Sequence, residues 1–167
     1  MDKLDEYYKF LAEKQTAVHD SGFEIADEDL NPKLFTFQRY CVKRALKTGR
    51  FAMFEDCGLG KTFQQLEWAY QVQKHINRPV LILAPLGVIG QTIKEGEHFG
   101  YEVKEIGLTV FDQDLKAGIY ITNYDNMENI DAYLFGGVVL DESSILKNFA
   151  GKTRTALIED FKDTPYK

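Results

Sequence analysis

Phe51-Ala52-Met53-Phe54-Glu55-Asp56-Cys57-Gly58-Leu59-Gly60-Lys61-Thr62-Phe63-Gln64-Gln65-Leu66 is the stretch that decides the fold. Its first four residues are apolar and suit a short buried strand over Phe51–Phe54. From Phe63 to Tyr70 the residues Phe63, Leu66, Ala69 and Tyr70 recur at helical spacing. Between them lies a glycine-rich turn. Gly58 and Gly60 lack a Cβ, so the backbone can curl there and aim N–H groups at an anion. Strand, glycine turn and helix in this order read as a phosphate-binding loop, with the helix N-terminus adding positive potential where the anion sits. Cys57, Gly58, Leu59 and Gly60 would wrap the phosphates. Lys61 would reach the β- and γ-phosphates and stabilise charge during their transfer, and Thr62 would complete the shell of a Mg²⁺ ion. One position departs from the usual G-x-x-x-x-G-K-[ST] pattern: its first residue is Glu55.

Outward from this loop, apolar runs alternate with helical patterns. Leu4–Val18 reads as an amphipathic helix, and His19–Pro32 as an acidic, turn-rich connector. Thr36 can cap a helix over Phe37–Lys47 that Gly49 ends. Beyond a break at Asn77–Pro79, Val80–Ala84 is the consecutive apolar run of a central parallel strand buried on both faces. A helix over Val88–Phe99 follows, with Gly100 past its end. Further strands are expected at Val103–Ile106, Ile119–Thr122 and Val138–Leu140, and a last helix at Lys152–Phe161. This alternation predicts an α/β domain with a mostly parallel sheet flanked by helices and joined by right-handed crossovers. Residues 1–35 read as the helix and connector, and 36–167 as the nucleotide-binding lobe.

Composition bounds the function. The 167 residues suffice for one domain that buries roughly 70% of its unfolded surface. A net charge of −6 argues against nucleic-acid binding by bulk electrostatics, so such contact needs a local patch. Cys41 and Cys57 form no disulfide framework, and His19, His75 and His98 have no metal-ligand spacing. No apolar run approaches the ~20 residues of a membrane helix, and no signal peptide opens the chain, so a cytoplasmic protein is expected.

A second motif supplies metal and base. Gly136–Lys147 reads G-G-V-V-L-D-E-S-S-I-L-K, an apolar strand ending in two acids. Asp141 at the strand tip would face the phosphate loop and hold Mg²⁺, which favours one or two carboxylates plus phosphate oxygens. Glu142 is suited to orient and deprotonate an attacking water. An exposed acidic pair at a strand end gives the same letters, but the phosphate loop upstream favours the chemical reading. Gln38 could read an adenine edge, since its amide donates and accepts in the required bidentate pattern; an ordinary helix-surface glutamine is the alternative.

The segments F-T-F-Q-R-Y, D-C-G-L-G-K-T, L-A-P-L-G-V-I-G-Q-T, I-T-N-Y-D and V-V-L-D-E-S-S-I-L-K follow the order of the superfamily 2 helicase motifs. From about Gly22 to Lys167 the chain resembles the Swi/Snf-type DEAD/DEAH-box helicase-like proteins of bacteriophages and mobile elements. The resemblance implies a RecA-like P-loop lobe that binds ATP and Mg²⁺. It matches Gln38 to the adenine reader, Lys61 and Thr62 to the phosphate and metal contacts, and Asp141 and Glu142 to the acidic box. It matches Pro85, Leu86, Gly87, Val88, Gln91 and Thr92, with Thr122, Asn123 and Tyr124, to segments that touch the nucleic-acid backbone, DNA in preference to RNA. Ser143 and Ser144 depart from the third and fourth positions of the box. The relatives continue past a point corresponding to Thr164–Lys167 into a coupling strand and a second RecA-like lobe with arginine fingers. The resemblance therefore implies an isolated or truncated first lobe of a DNA-dependent ATPase, with negligible turnover alone. Two rivals remain from the residues: a catalytically silent, nucleotide-gated binding module, and a small kinase-like P-loop enzyme. The small basic stretch Lys147, Lys152 and Arg154 is either a backbone contact or a solvated face.

Overall fold

The computed structural model describes residues 4–6, 20–107, 115–142 and 151–167. Four strands, β1 (Val80–Ala84), β2 (Val103–Glu105), β3 (Ile119–Asn123) and β4 (Gly137–Leu140), form one sheet in the order β2-β3-β1-β4. Every pairing is parallel, with Val80 opposite both Ile119 and Gly137. Helices α1 (Thr36–Thr48), α2 (Lys61–Ile76), α3 (Leu86–Phe99) and α4 (Gly151–Asp160) complete an α/β architecture of the RecA-like type.

β1 shows why consecutive apolar residues belong at the centre. Its side chains alternate between two cores, and all five residues are buried. Val80, Ile82 and Ala84 join Val42 and Leu46 of α1, Leu66 and Val72 of α2, and Ile89 of α3. Leu81 and Leu83 join Tyr120, Met127, Phe135, Leu157 and Phe161 on the opposite face. Each fully buried leucine contributes about 1.5–3 kcal/mol through apolar burial. Both faces of the strand are thus covered, which an alternating apolar–polar sequence could not achieve.

The helix ends follow the glycines: α1 stops at Gly49 and α3 at Gly100. At its start, α1 includes Thr36 instead of being capped by it. Phe35 holds the cap position, and the Gln38 side chain accepts from the Phe35 N–H at 2.9 Å. The acidic connector is docked against the domain from Ser21 onward: the N–H groups of Ser21, Gly22 and Phe23 donate to the carbonyls of Thr48, Lys47 and Leu46 at the end of α1. Leu30 and Leu34 are buried in the first core, and Asn31 donates to the Phe99 carbonyl and the Tyr101 hydroxyl. Of the expected Leu4–Val18 helix, residues 4–6 are helical and 7–19 lie outside the described residues.

Phe51–Phe54 is not a strand. Phe51 is half-exposed and Phe54 is 93% exposed, so the apolar run does not enter the core. A strand is a relation between two backbones, and here the available partner is brief. Phe51 N donates to Lys167 O (2.8 Å) and Lys167 N to Gly49 O (2.9 Å), while Val138 N donates to Tyr166 O (2.9 Å). Tyr166–Lys167 therefore lies between β4 and residues 49–51, with parallel pairing to Gly137. Two residues cannot hold the longer run in an extended ladder. Among the described residues no helix is long and apolar enough to cross a membrane.

Candidate functional site

The glycine turn sits between the end of α1 and the start of α2. Gly58 and Gly60 take φ of +82° and +73°, the left-handed region that an L side chain enters at a cost. Gly60 is also the N-cap of α2, and its carbonyl accepts from the N–H groups of Phe63 (3.1 Å) and Gln64 (3.2 Å). The first-turn N–H groups of a helix have no carbonyl one turn earlier, so the N-terminus of α2 has donors for an anion. Thr62, in that first turn, is half-buried.

Three side chains brace the loop from beneath. Gln38, 3% exposed, donates to the Leu59 carbonyl at 2.9 Å while its oxygen accepts from Phe35 N. Gln64, fully buried, donates to the Glu55 carboxylate at 2.7 Å and to Leu59 O at 3.3 Å. Lys61 Nζ donates to the carbonyls of Glu55 (3.0 Å) and Asp56 (3.1 Å), so an incoming phosphate would compete with these two oxygens. The departure at Glu55 has a local explanation. Its φ is not positive, so the position does not need glycine, and Gln64 anchors its carboxylate. Burial, with the Glu55 carboxylate alongside, pushes the Cys41 thiol up. Cys57 is exposed in the turn itself.

The acidic pair ends β4. Asp141 N donates to Leu83 O at 2.8 Å, carrying the β1–β4 ladder one residue past the strand. Gln65 of α2 makes a long 3.5 Å contact from Nε2 to the Asp141 carboxylate. Burial holds the Asp141 carboxyl above the usual aspartate range, while the Gln65 amide, the Glu142 N–H and the Lys61 ammonium pull it back. Glu142 is exposed and stands at φ +51°. Ser143 and Ser144 lie outside the described residues, as does Lys147.

These residues suit a nucleotide-bound Mg²⁺. One carboxylate (Asp141) and one hydroxyl (Thr62) leave most coordination positions to phosphate oxygens and water, the pattern magnesium favours. Among the described residues no three His, Cys, Asp or Glu side chains gather to hold an ion.

The expected nucleic-acid residues divide by accessibility. Leu86, Gly87 and Gln91 are exposed, and Pro85, Val88 and Asn123 are half-buried. Thr92 (0%), Thr122 (1%) and Tyr124 (4%) are closed to solvent and cannot touch a backbone in this conformation. Thr122 Oγ1 instead donates to Ile106 O (3.2 Å) and accepts from Asn126 Nδ2 (3.1 Å). Tyr124 donates from its hydroxyl to the Asp141 carbonyl at 2.7 Å. Arg154 of the basic stretch is exposed.

No family model matches the chain, and no curated protein matches it. The functional reading rests on the site itself. Gln64 and Gln65, outside the motifs read from the sequence, brace the loop and meet Asp141. Their signal was present: two adjacent glutamines interrupt the apolar stripe of a helix whose Phe63–Ala69 run is buried throughout. A buried amide needs partners, and so marks an internal polar junction.

Proposed function

We propose that this chain is the ATP-binding first lobe of a nucleic-acid-dependent ATPase of the helicase or translocase type its motifs resemble. The observation that carries the reading is the meeting of two distant motifs. Gln65, in the helix that the phosphate loop opens, contacts Asp141 at the tip of β4, and Lys61 lies close enough to influence the Asp141 charge. Phosphate loop, helix N-terminus and acidic pair thereby border one site at the carboxyl ends of parallel strands, where ligands of open α/β sheets bind.

In this reading Lys61 and the loop N–H groups hold the β- and γ-phosphates, and Thr62 and Asp141 hold Mg²⁺. Glu142 accepts a proton from the attacking water. DNA would run past the exposed end of α3 around Leu86, Gly87 and Gln91, and the partner completing the cleft would be a second RecA-like lobe. An arginine supplied by such a partner is worth about 10³–10⁵ in phosphoryl-transfer rate, so the chain alone should turn over negligibly.

Calorimetric titration of Mg–ADP into the wild type and Lys61→Ala tests the site. Binding by the wild type that the substitution abolishes is expected; equal binding by both, or none by either, overturns the reading. Joining a matching second lobe should then raise DNA-stimulated turnover, and Glu142→Gln should suppress it with nucleotide still bound. An associated pair that stays inactive with DNA would leave a nucleotide-gated binding module as the better account.

A further inference from the structure

Tyr124 does work that the proposed chemistry leaves unassigned. Its ring belongs to the second core, with Leu83, Met127 and Phe135. Its hydroxyl donates to the Asp141 carbonyl at 2.7 Å. That carbonyl belongs to the peptide joining Asp141 to Glu142, the two residues to which metal and water are assigned. Glu142 follows it at φ +51°, a conformation that costs an L residue about 1–2 kcal/mol and persists only where its surroundings fix it. Rotating this peptide out of the left-handed turn would swing the carbonyl away from Tyr124.

The other side of Tyr124 is anchored as firmly. It opens the 3-10 turn Tyr124–Asn129, which Asn123 caps by accepting from Asn126 N at 2.9 Å. Asn126 in turn reaches Thr122, whose hydroxyl bonds to Ile106 O. The end of β3 and the end of β4 are therefore joined through one phenol.

We propose that Tyr124 is a positioning residue that latches the acidic pair: its hydroxyl fixes the Asp141–Glu142 peptide, and so the direction in which both carboxylates project. The inference rests on the nucleotide reading for its consequence, but the latch itself does not. A ligand that shifted the Asn123–Asn126 turn, including a strand bound beside half-exposed Asn123 and exposed Asp125, would move the pair through this bond.

Tyr124→Phe removes one oxygen and keeps the ring. Two measurements on the whole chain decide the matter. Without nucleotide, hydrogen–deuterium exchange and the Glu142 amide resonance should change at the Asp141–Glu142 turn while β1 keeps its protection. An unchanged turn overturns the latch, whether or not nucleotide binds. With a fluorescent ADP analogue titrated in EDTA and then in Mg²⁺, Tyr124→Phe should keep the metal-free affinity. It should lose about fivefold of the gain that Mg²⁺ brings, the worth of one buried neutral hydrogen bond. Adding Tyr124→Phe to Asp141→Asn should then have no further effect on that gain. A purely structural tyrosine would instead weaken binding equally with and without metal, and that outcome, or a full wild-type gain, overturns the proposal. Wild-type protein that binds no nucleotide would overturn the nucleotide reading alone, leaving the exchange result to judge the latch.

Discussion

Gly58 and Gly60 share a left-handed backbone but not surroundings, and that difference sets up a double-mutant test of how the loop is held. A Cβ at Gly58 meets nothing within 4 Å, whereas one at Gly60 would stand 2.5 Å from Gln38 Nε2. Gly58→Ala should therefore cost only the left-handed conformation, about 1–2 kcal/mol. Gly60→Ala carries the same cost and also evicts a buried amide. Gln38 would lose its bonds to Leu59 O and from Phe35 N, both 2.9 Å. At ~0.5–1.5 kcal/mol each, the total rises to about 2–5 kcal/mol. For a chain of this size 1 kcal/mol moves the melting temperature by roughly 2–4 °C, so the two variants should separate in a thermal melt followed by circular dichroism. Gln38→Ala should destabilise alone, yet the double variant Gly60→Ala/Gln38→Ala should fall short of the summed losses by about 1–3 kcal/mol, because the clash is gone. Equal costs at the two glycines, or strict additivity, would refute the idea that Gln38 props the loop. Because its amide is engaged with protein on both sides, Gln38→Ala should also weaken ATP and GTP binding alike. A loss confined to ATP would restore the adenine-reading role that the sequence suggests.

Two further perturbations separate chemistry from packing. Burial raises the Asp141 carboxyl in the folded state, so the group favours folding when protonated and loses that contribution as pH rises through its folded value. Metal-free Asp141→Asn, whose side-chain oxygen still accepts from Gln65, should melt above the wild type at neutral pH, with the gap closing on acidification. Mg²⁺ plus nucleotide should reverse the order, and a variant that melts lower in EDTA would contradict the burial argument. Phe54→Ser should change unfolding free energy by less than about 0.5 kcal/mol in denaturant titration, since the ring is 93% exposed. A loss of several kcal/mol would mean that Phe54 does pack inside a sheet.

The legible parts of this fold are those whose physics is local. Five consecutive apolar residues could only be β1, and the acidic pair after an apolar run falls at the end of β4, where Gln65 of α2 reaches Asp141. Phe51–Phe54 failed because its strand depended on a neighbour at Tyr166–Lys167, remote in sequence and two residues long. Gln38 carries the same donor and acceptor whether it meets a purine or a main chain, so its letter could not tell the two apart. The partner that the Tyr124 hydroxyl has here is not legible in the sequence for a related reason. The hydroxyl bonds to a main-chain carbonyl, and a carbonyl leaves no trace in the identity of Asp141. Thr122 and Thr92 lie on a strand and a helix whose inward faces depend on how the layers stack.

The pairing of Lys167 with Gly49 and Phe51 also bears on how a nascent chain matures. The ribosome delivers the phosphate loop early, but the residue whose backbone ties down its leading segment emerges only after β4 and α4. At about 5–20 residues per second, that delay is on the order of ten seconds. During it, α2 and β1 can already pack, while the backbone of residues 49–51 has no edge to join. The segment leading into the glycine-rich turn would thus be among the last parts of the domain to acquire its final shape.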